Sequence, residues 1–196
     1  MCWSGEASAV LATVGLASTA YVAKKGEDRN LWLPLAYFSA MELLQAVTYA
    51  VINLCDLPLN QVLTFLGAFH IAFQPFFINM FSLHFINKET REKITPWVYT
   101  ICFIGSITFL FRLIPFDWAG TCVQVNDAMC GTRTCSVSGT WHIAWEIPLN
   151  GLKIVGLGYA IPAFILPILY GSWRFTLYHI LVGPLLAKMT TDNWNE

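Results

Sequence analysis

Apolar windows of about 20 residues recur along this chain, and they constrain its fold more than any other feature. At about 1.5 Å rise per residue, each window is long enough to cross a hydrocarbon core about 30 Å thick. Apolar residues make up 56% of the chain and charged residues 12%, against about 25% charged in soluble domains. We predict an all-α integral membrane bundle of about six transmembrane helices. The predicted spans are 7–23, 31–54, 61–86, 95–114, 152–170 and 173–187.

The longest polar stretch lies between the fourth and fifth windows. It covers residues 115–151, is rich in Gly, Cys and Trp, and is too long for a tight connection between helices. No linker, low-complexity tract or internal repeat divides the chain, so residues 1–196 are predicted to form one domain. The net charge of −1 argues against nucleic acid, which needs a basic face. The predicted partner is the lipid bilayer, and the oligomeric state stays open.

Basic residues and cysteines give a predicted orientation. If the N-terminus lies outside, seven of the eleven Lys and Arg residues fall on one face, which the positive-inside rule assigns to the cytoplasm. Five of the six cysteines fall on the opposite face, where an oxidising compartment permits disulfides. We therefore expect an extracytoplasmic N-terminus and long loop. The basic residues are Lys24, Lys25, Arg29, Lys88, Arg91, Lys93 and Arg174, and the cysteines are Cys2, Cys55, Cys122, Cys130 and Cys135.

Those five cysteines leave more than one chemistry open. Four of them could form two disulfides with one left over, and the pairing does not follow from sequence. Structural disulfides are the favoured interpretation. A zinc or copper site made by Cys122, Cys130, Cys135 and His142 is the alternative, which the lack of a C-x-x-C pair disfavours.

One formal charge, Glu42, stands near the centre of the second window. Placing an ionisable group at the centre of a bilayer costs about 2.5 to 3.5 kcal/mol, so such a residue needs a compensating partner or serves a function. At 100° per residue, Gln45 and Tyr49 share its helix face, and His70 and Gln74 share one face of the third window. His179 lies at a similar depth in the sixth. We predict that these side chains face the bundle interior and form an ion or solute pathway: Glu42, Gln45, Tyr49, His70, Gln74 and His179.

The end of the polar stretch offers a second candidate site. If residues 139–148 are helical, His142 and Glu146 lie at i and i+4 on one face and could hold a metal or relay protons. Trp141 and Trp145 would form a parallel stripe at the headgroup level. An interfacial helix that anchors the loop is the favoured interpretation.

Helix breakers and polar residues mark the remaining windows. Pro75 predicts a kink in the third window, and Asn79 is expected to bond a neighbouring helix. Pro162 interrupts the fifth window, and such discontinuous helices are where transporters place binding sites, although ordinary kinking explains them equally well. Arg112, near the outer end of the fourth window, has Asp117 as a reasonable partner.

Two functional hypotheses of different classes follow, and a third ranks below them. The first is a small channel or transporter for a proton, metal ion or small solute. The second is a membrane-embedded metalloenzyme in which Glu42, His70 and His179 bind a divalent metal such as zinc or act as acid and base. The third is an accessory protein that acts through its disulfide loop. Walker, dinucleotide, H-E-x-x-H and G-x-S-x-G motifs are absent, and haem is disfavoured because the chain has only four histidines.

Four groups of residues carry a family resemblance over most of the chain. They are Cys2–Ser4, His70–Asn79, Phe116–Gly120 with Ser138–Trp145, and Leu169–Phe175. In these strings the chain resembles an uncharacterised family of small bacterial multi-span membrane proteins. The resemblance implies a bacterial inner-membrane location and no particular activity. It also implies that the natural protein continues past Glu196, where a further span would return the C-terminus to the inside.

Overall fold

The computed structural model describes residues 4–124, 127–152, 155–191 and 195. In this part of the chain six helical rods follow one another, and a two-stranded sheet lies between the fourth and fifth. The fifth rod joins α5 to α6 through a π-helical turn, Ile161–Ile165, and the sixth joins α7 to α8 through a second π-helical turn, Leu181–Leu185. The elements are α1 Gly5–Lys24, α2 Arg29–Tyr49, α3 Pro58–His84, α4 Lys88–Leu110, β1 Cys135–Ser138, β2 Ile143–Glu146, α5 Val155–Ala160, α6 Leu166–Leu169, α7 Trp173–Ile180 and α8 Leu186–Thr190.

Short polar residues fix where the first helices begin. The side chains of Ser4, Asp28 and Asn87 each accept a hydrogen bond from a backbone N–H two or three residues later, at 2.9 to 3.1 Å. These bonds satisfy N–H groups that have no partner within the helix. Pro58 begins α3, at a position where its missing N–H costs nothing.

Three helical segments are long and apolar enough to cross a bilayer: Gly5–Lys24, Pro58–His84 and Lys88–Leu113. Each of the six predicted windows overlaps one rod, which confirms the prediction of a mostly helical fold. The second window was drawn too long. Its helix ends at Tyr49 because the chain turns after it and Asn53, with a left-handed φ of 65°, donates its N–H to Ser136.

The surface of the rods is unusually apolar. Large apolar side chains are exposed on the rods, Leu169 at 75% and Met189 at 76%. The interior holds polar as well as apolar side chains, and Asn60, Thr64 and Asn79 are fully buried there. Exposed apolar surface of this extent is typical of helices that face lipid.

Residues 115–151, here called the loop lobe, contain a β-hairpin. Strands β1 and β2 pair antiparallel, with Cys135 opposite Glu146 and Ser138 opposite Ile143. The all-α prediction and the interfacial helix over 139–148 are therefore wrong in this region. Side chains four residues apart along a strand are separated by about 13 Å, against about 5 to 6 Å in a helix. His142 and Glu146 therefore do not form the helical pair that the sequence suggested.

Two disulfides tie the loop lobe together, as predicted. Cys55 bonds Cys135, which fixes strand β1 to the connection between α2 and α3, and Cys122 bonds Cys130 within the lobe. The alternative zinc or copper site is wrong because these bonds consume its thiolates. Cys2 lies outside the described residues.

The start of α1, the loop lobe and residue 195 meet at one end of the bundle. A Cβ at Gly5 would lie 3.0 Å from the Cβ of Tyr49, which places the beginning of α1 beside the end of α2. Asn195 exchanges two side-chain hydrogen bonds with the backbone of Cys130, at 2.9 and 3.0 Å. The membrane face to which this end belongs stays a prediction.

Candidate binding cavity

A cavity of about 550 Å³, here called the Glu42 cavity, lies where α2, α3, the loop lobe and the last two rods meet. Three of the predicted pathway residues line it, together with one residue of the second candidate site. Its lining residues are Phe38, Met41, Glu42, Gln45, Ile71, Gln74, Ala128, His142, Ile143, Trp145, Tyr159, Gly183, Pro184 and Ala187.

Glu42 is the ionisable carboxyl in this wall. Because α2 ends at Tyr49, Glu42 lies 13 residues after Arg29 and seven before the helix ends, closer to the loop lobe than the sequence suggested. Gln45, one turn further on, is buried beside the same space. The Oε2 atom of Glu42 is buried and has no hydrogen-bond partner among the described residues. A buried carboxyl oxygen without a hydrogen-bond donor is costly, so a bound partner that supplies a donor would stabilise it.

Gln74 and Tyr159 form a polar pair across the cavity. The hydroxyl of Tyr159, on α5, donates to Oε1 of Gln74, on α3, at 2.7 Å. This bond joins the fifth rod to the third at the level of the cavity. Sequence reasoning missed Tyr159, and the only signal for it was its position just before the breaker Pro162.

His142 reaches the cavity from the loop lobe. Its Nε2 lies 2.9 Å from Oγ1 of Thr190, so the imidazole also links the lobe to α8. Glu146 lies elsewhere: Ile143 and Trp145 line the cavity, and Glu146 follows Trp145 on the opposite face of strand β2, against Gly131. The structure therefore places His142 in the lining that also holds Glu42, and it leaves Glu146 outside that lining.

Three predicted pathway residues lie outside this lining. His70 stacks on Tyr37, with ring centroids 3.8 Å apart, and lines a separate groove. Tyr49 packs beside Gly5 of α1, and His179 stacks on Phe164 at 4.9 Å. Within the described ranges no group of three or more His, Cys, Asp or Glu side chains is placed to hold a metal ion.

One π-helical turn lines the cavity, and the other begins two residues after a lining residue. Tyr159 comes just before the turn Ile161–Ile165, and Pro184 lies within the turn Leu181–Leu185. Turns of this kind occur frequently at functional sites. Asn79 donates to the carbonyl of Pro162 at 2.7 Å, and Tyr170 donates to Oδ1 of Asn79 at 2.8 Å. The predicted bond from Asn79 to a neighbouring helix is thus confirmed.

A larger cavity of about 870 Å³ lies in the loop lobe. Asp117, the one charged residue among its described lining, is exposed, whereas the Oε2 atom of Glu42 is buried. The predicted pairing of Arg112 with Asp117 is wrong, because Asp127 takes that role, with one oxygen 3.5 Å from the guanidinium. Asp127 is brought there by a short loop that the Cys122–Cys130 disulfide closes. We therefore take the Glu42 cavity as the candidate site.

Comparison with known proteins agrees with the resemblance in the sequence. The model of a family of unknown function, DUF5765, matches residues 6–196, so the chain belongs to that family. The expectation of a family without an assigned activity is confirmed. No curated protein matches the chain, and no solved structure matches it.

Proposed function

We propose that this member of the DUF5765 family is a six-span membrane protein that carries a proton, a metal ion or a small solute through the Glu42 cavity. The observation that carries the proposal is that Glu42 lines a space of about 550 Å³ while its buried Oε2 atom has no hydrogen-bond partner among the described residues. The exposed apolar surface of the rods and the three helical segments long enough to cross a bilayer support a position within the membrane.

A purely structural role for Glu42 explains less. Buried polar groups that serve packing are usually hydrogen-bonded, as the fully buried Asn60 and Asn79 are here, although the Ser8 hydroxyl also has no partner among the described residues. A carboxyl oxygen without a hydrogen-bond partner, on a residue that lines a ligand-sized cavity, instead fits a group that binds its partner reversibly. The same logic disfavours the metalloenzyme, because His70 and His179 do not line the cavity with Glu42.

The arrangement of the walls suggests how access could change. The fifth and sixth rods are interrupted by π-helical turns beside the cavity, so each can bend there with little loss of helical hydrogen bonding. The contact between His142 and Thr190 joins the sixth rod to the loop lobe. We infer that bending of these rods opens the cavity alternately to the two sides.

The proposed orientation follows the distribution of charge. The basic residues of the α1–α2 and α3–α4 connections lie at the end of the bundle opposite the loop lobe. By the positive-inside rule that end faces the cytoplasm, and the disulfide-bonded lobe faces outward from a bacterial inner membrane.

The test is flux in proteoliposomes that hold purified protein and a trapped dye, in separate preparations for protons and for zinc. Glu42→Gln removes the ionisable group with little change of shape, and Glu27→Gln makes the same change at an exposed site between α1 and α2. Glu42→Gln should lower the flux at least about tenfold, whereas Glu27→Gln should leave it unchanged. Equal flux from wild-type protein and Glu42→Gln would overturn the proposal.

A further inference from the structure

Building on the proposed function, we infer that the Glu42 cavity binds a small amphiphilic amine, in which a protonated amino group is attached to an apolar body. The amino group would lie against the Glu42 carboxylate, and the apolar body would lie along the aromatic wall of Phe38 and Trp145. Size, charge and the chemistry of the walls each support this class of ligand.

The volume of the cavity fits an organic molecule better than a bare ion. A water molecule occupies about 30 Å³ of liquid, so 550 Å³ is far more than a metal ion and its ligands require. Pockets that enclose organic ligands measure about 300 to 1,000 Å³. The described lining also lacks the set of three or more donor side chains that would hold a metal.

The charge of the lining selects a cation that carries hydrogen-bond donors. Glu42 is the only Asp, Glu, Lys or Arg among the described lining residues, so an anionic ligand would be repelled. Its Oε2 atom is a buried acceptor without a donor, whereas Oε1 of Gln74 already accepts from Tyr159. An ammonium group supplies N–H donors and neutralises the carboxylate, which satisfies both needs.

The rest of the wall suits an apolar body beside a positive charge. Phe38, Trp145 and Tyr159 present aromatic rings, and Met41 and Ile143 add aliphatic surface. Cations bind aromatic faces with a gain that grows when water is excluded. A strongly hydrated ion could not use this surface, whereas an alkyl or aryl amine would cover it.

The test is calorimetric titration of purified full-length protein in detergent with two probes of nearly equal shape, phenethylammonium and 2-phenylethanol. They differ only in an ammonium group against a hydroxyl. Wild-type protein should bind the amine about 10- to 100-fold more tightly than the alcohol, as expected for one charge-assisted hydrogen bond. Glu42→Gln should remove that preference, and Glu27→Gln should keep it.

A second variant provides an independent test in case Glu42→Gln does not fold. Phe38→Leu leaves the carboxylate in place and should weaken the amine about two- to fivefold, with little change for the alcohol. A further titration uses zinc chloride alone. Equal binding of the two organic probes would overturn the inference and indicate an apolar slot that lipid can fill. Stoichiometric zinc binding in the absence of amine binding would overturn it as well.

The inference and the proposed function can fail separately. Amine binding that depends on Glu42, without flux of protons, zinc or the amine itself in vesicles, would support the amine site and refute the transporter. Proton or zinc flux that depends on Glu42, without amine binding, would refute the amine site and leave the transporter standing.

Discussion

Replacement of Asp127 by Asn should destabilise the protein strongly, because it leaves a buried guanidinium without its counter-charge. The side chains of Arg112 and Asp127 are only 8% and 10% exposed, and their closest charged atoms lie 3.5 Å apart. The other oxygen of Asp127 accepts the backbone N–H of Val123 at 2.9 Å. Asn keeps the shape of the side chain and removes the charge.

The size of the expected destabilisation follows from the burial of the two side chains rather than from the distance between their charged atoms. Breaking a buried ion pair by removing one partner costs about 3 to 5 kcal/mol, and both side chains here are close to fully buried. The pair between Lys93 and Glu89 is shorter, at 2.7 Å, but its side chains are 71% and 79% exposed. Glu89→Gln should therefore cost less than about 0.5 kcal/mol.

The assay is denaturant unfolding of the purified protein in detergent, followed by tryptophan fluorescence. Asp127→Asn should lower the free energy of unfolding by about 3 kcal/mol or more, and the double variant Arg112→Met/Asp127→Leu should recover much of that loss, since it buries no charge. The reasoning is refuted if Asp127→Asn and Glu89→Gln lower the free energy of unfolding by the same amount.

Two further predictions concern packing. A Cβ at Gly105 would lie 2.1 Å from the carbonyl oxygen of Gly158, whereas a Cβ at Gly67 would make only ordinary contacts. Gly105→Ala should therefore lower the free energy of unfolding by about 1 to 3 kcal/mol. Gly67→Ala should leave the free energy of unfolding unchanged or raise it. A stable Gly105→Ala protein would contradict the close approach of α4 and α5. Asn60 exchanges hydrogen bonds with the backbone of Ser136, at 2.9 and 3.0 Å, so Asn60→Ala should expose strand β1 to amide hydrogen exchange. Unchanged protection of that strand would show that the disulfide holds it alone.

The helical rods were predictable because a span of about 20 apolar residues is a strong signal in itself. The disulfides were predictable as a class, since five cysteines fall on one predicted face, but their pairing depends on packing. The bounds of α2 were harder to predict. Apolar residues continue after Tyr49, and the turn at Asn53 depends on its bond to Ser136, which lies far away in the sequence.

The hairpin could not be predicted because its strands are too short for their pattern to show. Each strand has four residues, and the spacing of Trp141 and Trp145 fits a helix equally well. The two strands pair where the Cys55–Cys135 bond holds one of them. Tertiary contacts of this kind override local preference.

The candidate site was predictable in part. Periodicity found Glu42, Gln45 and Gln74, which line one cavity, because helical faces follow from sequence spacing. It could not show that His70 faces a different groove, since an angle around one helix does not tell which neighbour lies opposite. The contribution of Tyr159 depends on the packing of α5 against α3.

The most direct test of the central claim is chemical modification of Glu42 in the wild-type protein. A hydrophobic carbodiimide partitions into apolar surroundings and reacts with carboxyl groups there, and mass spectrometry gives the modified fraction of each acidic residue. The account predicts that Glu42 is modified in preference to exposed acids such as Glu27. It also predicts that the flux in the same vesicles falls in proportion to the modified fraction of Glu42. Full flux after complete modification of Glu42 would contradict it.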